Sequence, residues 1–382
     1  VIADLHVHYP MRVVADVTTA TAGEAVEGLL VRAAGRVLSD RTPSSGYRVT
    51  PAGLRAGGVG VALSVLYRPL QEMDLSKPYA APPDDRYLRL LLRDLERVEA
   101  EVAGHDPARL RVAHDVAALD GALADGATAI VHCVEGGFHL GATPAHVTAA
   151  VAQLAARGVA YITLAHLFFR QVAANAPALP FLADADYDAL FPQPPGAGLT
   201  ALGEAAVRAM VAHGVLVDLS HMRADAVAET LDLLDALDPA RAVPVLATHA
   251  GYRFGRQAYL LDDATVARIA DRGGVVGLIL AQHQLLDGLR GAPVTTLGES
   301  LDVLFRHVDK LAQLTGGYEH VGIGTDLDGF IKPTLAGLES AADLQRLEAA
   351  LRDRYRAEDA EAMLAGNALR VLRAGWGRAT PA

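Results

Sequence analysis

Cysteine is almost missing from this chain of 382 residues: Cys133 stands alone. That excludes an intramolecular disulfide framework and any cysteine-rich zinc site. Basic runs are missing too, because no Lys/Arg stretch reaches the length of a polybasic patch. With a formal net charge of −11 and a pI near 5.7, neither nucleic acid nor an anionic membrane surface is expected as a principal partner. The longest apolar runs, such as 273–281 (GGVVGLILA), are too short to span a bilayer. No signal-peptide pattern is read at the start, where Asp4, His6 and His8 interrupt the apolar residues, so the expected compartment is cytoplasmic. No GxSxG elbow, P-loop, GxGxxG or HExxH motif occurs. What is present is core material. Hydrophobic residues make up 51% of the chain and charged residues 21%, which excludes disorder as a global description.

Eight β-rich segments alternate with helical patterns, the arrangement of a parallel sheet closed by crossover helices. The strands are read at 1–8, 59–67, 127–135, 159–166, 215–221, 244–250, 274–281 and 320–326. Amphipathic stretches between them, such as 199–213 and 223–237, carry apolar residues at three- and four-residue spacing. The fold class is therefore α/β, a single (β/α)8 barrel over 1–382, a length such barrels reach as one domain. Two segments break the rhythm. Residues 9–56 hold no clear strand and are read as an excursion after the first strand; the Pro- and Ala-rich 168–198 is read as a loop over the barrel mouth.

In such a barrel the active site is built at the C-terminal ends of the strands. Most strands here end in a side chain able to bind metal or move protons: His8, Glu135, His166, His221, His249 and Asp326. The second and seventh do not. His6 and His8 are two apart on the first strand, so alternation turns both imidazoles toward the barrel axis. His221 and His249, taken singly, read as hydrogen-bonded core histidines. Glu135 is harder to dismiss, because an ionised carboxylate buried after AIVHCV costs several kcal/mol unless a cation accompanies it. Asp326 raises the same objection in GIGTDLDG, where small residues leave room beside it. Five ligands, His6, His8, Glu135, His221 and His249, with one carboxylate able to bridge, suit two divalent cations. Imidazole and carboxylate favour zinc, with manganese, cobalt or iron as alternatives. Such ions acidify water to give hydroxide near neutral pH, and Asp326 is placed to orient that water and pass its proton on. The remaining histidines are read as structural: His132 should face the helix layer and His320 lies at the wrong end of its strand. Cys133, deeper on its strand than Glu135, is read as core filler.

The pieces DLHVHYP (4–10), GLRAGGVGVALSVLY (53–67), VEGG (134–137), YITLAHL (161–167), GLTALGEAAVRAMVAHGVLVDLSHM (198–222), THAGYR (248–253), GIGTDLDG (322–329) and GNALRVL (366–372) recur in order. In them the chain resembles the membrane dipeptidase (renal dipeptidase) family of the amidohydrolase superfamily. The resemblance implies that His6 and residue 8 bind one metal, Glu135 bridges, and His221 with His249 binds the second. It also implies that Asp326 is the catalytic aspartate and that His166 contacts substrate. The arginine that grips the dipeptide carboxylate would be Arg256, with Arg253 close by, and a homodimer is implied. One departure stands out: the family has His-x-Asp on the first strand, whereas this chain has His6-Val7-His8. The expected activity is hydrolysis of the amide bond of small dipeptides. Two alternatives stay open: another amidohydrolase acting on a small N-acyl amino acid, lactone or ester, and a degenerate barrel that only binds a ligand.

Overall fold

A computed structural model describes residues 1–14, 30, 46–74, 76–329, 331 and 333–378. Most of the expected excursion at 9–56, namely 15–29 and 31–45, lies outside them. The strands are β1 (Ile2–Val7), β2 (Val59–Leu66), β3 (Leu110–Ala113), β4 (Thr128–Glu135), β5 (Tyr161–Thr163), β6 (Leu216–Asp218), β7 (Leu246–Ala250), β8 (Val275–Leu278) and β9 (Val321–Ile323). All pair in parallel in the order β2-β1-β9-β8-β7-β6-β5-β4, and β4 pairs back onto β2 through Val61–Ala129 to Leu66–Val134. An eight-stranded parallel barrel results, ringed by helices, as the alternating sequence pattern predicts.

The ninth strand, β3, was not expected. It pairs with the start of β4, Leu110–Thr128 to Ala113–Val131, on the edge that β5 takes over at Val134–Ile162. With only four residues, one of them Arg111, it offers no apolar run to read. The other strands are mostly shorter than the apolar runs that announced them, so His166, His221 and Asp326 sit on turns just beyond β5, β6 and β9.

The expected helical stretches form Ala201–His213 and Ala224–Leu237. The first is capped at its start by the Thr200 side chain, which accepts from Gly203 N, and stopped by Gly214 at φ 67°. Two apolar layers follow from strand alternation. One buries Ile2, Ala62, Ile130, Ile162, Val217 and Val276 against helix residues such as Leu95, Leu154, Met210 and Leu231. The other fills the barrel interior with Leu5, Val61, Leu63, Val131, Cys133 and Tyr161, and continues into Val371 and Leu372 of the last helix and Trp376 just beyond its end.

Alternation is broken at two places that matter. Along β1 the register slips between Asp4, opposite Ala62, and Val7, opposite Ser64. Along β7 it slips between Ala247, opposite Val276, and Ala250, opposite Leu278. Each strand thus carries one extra residue, a bulge that re-aims the side chains after it. Leu5 and Leu246 pack in the barrel interior, and the slips let His6 and His249 face the same interior. Room for the second bulge comes from two glycines. A Cβ at Gly277 would lie 2.0 Å, and one at Gly324 1.7 Å, from the Thr248 carbonyl oxygen.

Candidate metal centre

Glu135, the last residue of β4, is 1% exposed and stands at the middle of the histidines. His6, His221 and His249 bring Nε2 to 3.3, 3.5 and 3.3 Å of its Oε1, while His8 and His166 bring theirs to 3.4 and 3.3 Å of its Oε2. Ligand atoms of His6, His8 and Glu135 form one compact triad and those of Glu135, His221 and His249 another, sharing the carboxylate. Asp326 Oδ1 lies 3.1 Å from His8 Nε2 and 3.9 Å from His6 Nε2. The backbone at His221 and Asp326 is left-handed, φ 65° and 58°, a conformation uncommon for non-glycine residues but one in which Asp and His are enriched. Asp326 N–H donates to the His6 carbonyl at 2.9 Å, which ties the turn after β9 to β1. Gly329 clears the space beside it: a Cβ there would meet Asp326 Oδ1 at 1.8 Å.

A layer of polar groups behind the histidines fixes which nitrogen faces inward. Thr248 Oγ1 donates to Asp218 Oδ2 at 2.7 Å, so its lone pairs face Nδ1 of His6 at 3.1 Å and of His249 at 2.9 Å. Tyr161 donates to the Leu5 carbonyl and presents its oxygen to His6 Nδ1 at 2.9 Å. Each Nδ1 therefore carries the hydrogen, leaving an Nε2 lone pair directed at Glu135, as metal-ligating histidines require. His6, Asp218 and His249 also lie close enough to form a triad. Asp218, however, accepts from Thr163, Thr248 twice and Ser220 twice, so its oxygens are already used and it positions rather than ligates.

The donor set fits divalent cations. Both Glu135 oxygens and His6 Nε2 are buried without a hydrogen-bond partner, and Nε2 of His221 and His249 are 2.8 Å apart. Groups left so in a folded interior want a positive centre between them. Burial, with His249 beside it, pushes His6 down to about 3; burial, with His166 beside it, does the same to His221. Burial opposes the Glu135 anion, yet His166 and His6 hold it well below the usual carboxylate range. At His6, His221 and Glu135 these are the protonation states a metal needs; at His249 burial works against the cation, but the Glu135 hydrogen bond and Asp326 outweigh it and raise the pKa.

A cavity of 380 Å³ opens over this cluster, with His166, His221 and Asp326 among its lining residues. Neither expected arginine lines it. Arg256 lines a neighbouring pocket with Pro177 and Gln257. Arg253 turns its guanidinium to the Ala258 carbonyl at 3.0 Å and to Asp262 at 3.7 Å. His132 faces the helix layer, 3.6 Å from Glu99, and His320 bonds the Gly274 carbonyl before β8.

Sequence reading missed three lining or supporting groups. Glu72, on the short helix Pro69–Met73 after β2, is 1% exposed; it accepts from Tyr67 at 2.7 Å and Phe168 N–H at 3.0 Å, and pairs with His166 Nδ1 at 2.8 Å. Burial works against the His166 cation, but Glu135 and Glu72 outweigh it and raise His166 to about 9. Tyr259 lines the cavity beside His221 and donates to the His249 carbonyl at 2.6 Å. His283 lines it too, although its helical setting gave it a structural reading. No spacing signal marks these residues, because each reaches the site from outside the strand ends.

The family model for the membrane dipeptidases (peptidase family M19) matches residues 2–377. Among curated relatives, an uncharacterised protein of Klebsiella pneumoniae is 33% identical over 193 residues, 49% of this chain and 65% of that protein. Dipeptidase 3 of Rattus norvegicus is 30% identical over 178 residues, 46% of this chain and 33% of that protein. The matched stretch thus spans less than two thirds of each of these relatives. Among solved structures, a metallo peptidase from Rhodobacter sphaeroides, liganded with a phosphinate mimic of the dipeptide L-Ala-D-Ala, superposes with a TM-score of 0.72 at 21% identity, covering 98% of this chain and 99% of that one. A dipeptidase of the same peptidase family gives 0.72 at 20% identity over 99% of both chains. At that identity the structures speak to the shared barrel; the match over nearly the whole length places this chain in the membrane dipeptidase family, peptidase family M19.

Proposed function

We infer that the chain is a metal-dependent hydrolase that cuts the amide bond of small dipeptides. The observation that carries this reading is the pair of histidine triads sharing Glu135 at the foot of a cavity that Asp326 also lines. His6 and His8 with Glu135 would hold one divalent cation, and Glu135 with His221 and His249 the second, zinc being the first to try. When bound, such ions supply the Lewis acidity that polarises a carbonyl and makes water acidic near neutral pH. Asp326 takes the proton from the attacking water and delivers it to the departing amine. His166, oriented by Glu72, points Nε2 toward the carbonyl oxygen as charge develops there. The dipeptide mimic bound by the Rhodobacter protein supports this reading. A carboxylate grip by Arg256 or Arg253 gains no support from the geometry, since neither lines the cavity: Arg256 lines the adjoining pocket and Arg253 is turned to Ala258 and Asp262.

The test is a dipeptide-library hydrolysis screen on metal-reconstituted protein, paired with elemental analysis. About two divalent ions per chain and cleavage of some dipeptides are expected. Metal content well below one ion per chain, unmoved by reconstitution, defeats the reading.

A further inference from the structure

The cavity over the metal centre has a floor and a wall of different chemistry. Asp326, His166 and His221 lie at the floor; Met73, Phe181, Leu190, Phe191, Leu182 and Ile331 are among the residues that rise around it. Six large hydrophobic side chains are exposed among the described residues, and three of them, Met73 at 42%, Phe181 at 63% and Leu190 at 62%, line this one cavity. A fourth, Tyr79, packs its ring 5.6 Å from that of Phe191. Single exposed apolar residues are ordinary on a protein; several converging on the mouth of a reactive cavity mark a binding surface.

The wall is a built one. Phe191 is held by Phe168 at 4.9 Å and Tyr187 at 5.1 Å between ring centroids. The segment that carries them is pinned to the barrel, since Ala176 N–H donates to the His221 carbonyl at 2.7 Å and Arg223 N–H to that of Ala174 at 2.9 Å. Thus the apolar wall and a candidate ligand are positioned by the same backbone. No Arg or Lys occurs among the described residues that line the cavity, and 380 Å³ is space for a ligand larger than two alanines.

We propose that the substrate of this centre carries a bulky apolar group, an aromatic ring or a branched or extended alkyl chain, beside the bond that is cut, and that the wall of Met73, Phe181, Leu190 and Phe191 selects for it. The inference rests on the hydrolase reading and names its substrate class. The reaction balances without a co-reactant: water adds to the carbonyl carbon, the C–N bond breaks, and the amine leaves with a proton.

Two measurements on metal-reconstituted full-length protein test it. Binding of inert phosphinate dipeptide mimics bearing benzyl or methyl side groups is followed by calorimetry, and kcat/KM is compared for matched dipeptides with phenylalanine, leucine or alanine. The benzyl mimic should bind roughly 10- to 100-fold more tightly than the methyl one. The same order should appear in kcat/KM. Phe181→Ser combined with Leu190→Ser should cut that ratio by about tenfold or more, through KM rather than kcat. A benzyl mimic that binds no better than the methyl mimic overturns the proposal, whether or not any dipeptide is cut. Should the double variant keep the ratio but change the oligomeric state, the rim is a contact between copies and the proposal again fails. Tight benzyl binding with no dipeptide cut leaves the apolar selection standing and removes the dipeptidase reading instead.

Discussion

Two carboxylates at the site have separable tasks. Asp326 approaches His8 and His6 from the turn after β9 but belongs to neither triad. Asp326→Asn is therefore expected to lower kcat by 100-fold or more, about the contribution of a positioned acid–base group, while metal content by elemental analysis stays near that of the wild type. Loss of metal in proportion to activity would make Asp326 a ligand. Glu72 acts through another residue: it fixes His166 by its Nδ1, and its second oxygen accepts from Phe168 N–H. Glu72→Gln should reduce kcat about tenfold with little change in KM, and should lower the pH at which the His166 imidazole resonance titrates, Glu72 being one of the carboxylates that raise it. An unchanged titration would show that Glu72 supports only the loop. Arg256→Ala is expected to leave KM for free dipeptides within about twofold; a rise of tenfold, the loss of a charge-assisted bond, would restore the carboxylate grip.

At the scale of the element, β7 depends on neighbours that give way. Gly324→Ala places a Cβ against the Thr248 backbone, whose side chain orients His6 and His249. The variant should lose about 1–3 kcal/mol of stability, as overpacked cores do, and bind less metal. Gly298→Ala, in a helix and with nothing within 4 Å of its Cβ, is the control and should leave metal content unchanged while stability stays level or rises by up to about 1 kcal/mol. The helix Leu297–Thr315 carries a different constraint. His307 accepts Tyr252 N–H at Nδ1 (3.0 Å) and so donates from Nε2 to the Leu285 carbonyl (3.0 Å). Burial pushes its pKa down to about 4. Between about 4 and 6.5 the unfolded chain then holds more protons than the folded one, so stability rises with pH across that window and is level above it. The shift corresponds to on the order of 3 kcal/mol. His307→Gln should lessen the rise of the urea midpoint with pH between 4 and 6.5 by its own share, the buried His6 and His221 adding slope of the same sign; an equal slope in wild type and variant would assign it elsewhere.

For the whole molecule, the metal centre draws on β1, β4, β7 and the turn after β6. Cations held there bind the closed barrel and not the unfolded chain, so they stabilise it by mass action, about 4 kcal/mol at a thousandfold excess over Kd. Chelation should lower Tm by several degrees, with recovery on adding zinc. A Tm indifferent to chelator and zinc would mean that the triads do not hold metal tightly. Barrel closure itself rests on apolar layers with no help from disulfides, the single cysteine being buried in the interior layer.

The sequence by itself determined the parallel barrel and the neighbourhood of the site. Its apolar runs have the length and spacing of strands, and in this fold the residues that end them meet at one rim. His8, Glu135, His166, His221, His249 and Asp326 were legible for that reason, and His6 from its two-residue spacing to His8. Simple alternation, however, gave no account of how His6 joins Leu5, and His249 joins Leu246, on one interior; the bulges decided that, and a one-residue slip leaves no mark on composition or period. Glu72, Tyr259 and the apolar character of the wall were likewise decided by tertiary structure, although 168–198, which carries Phe181, Leu190 and Phe191, was legible as a loop over the barrel mouth. Each is brought to the site by a loop or short helix packed over the strand ends, and such packing depends on contacts between residues far apart in the chain.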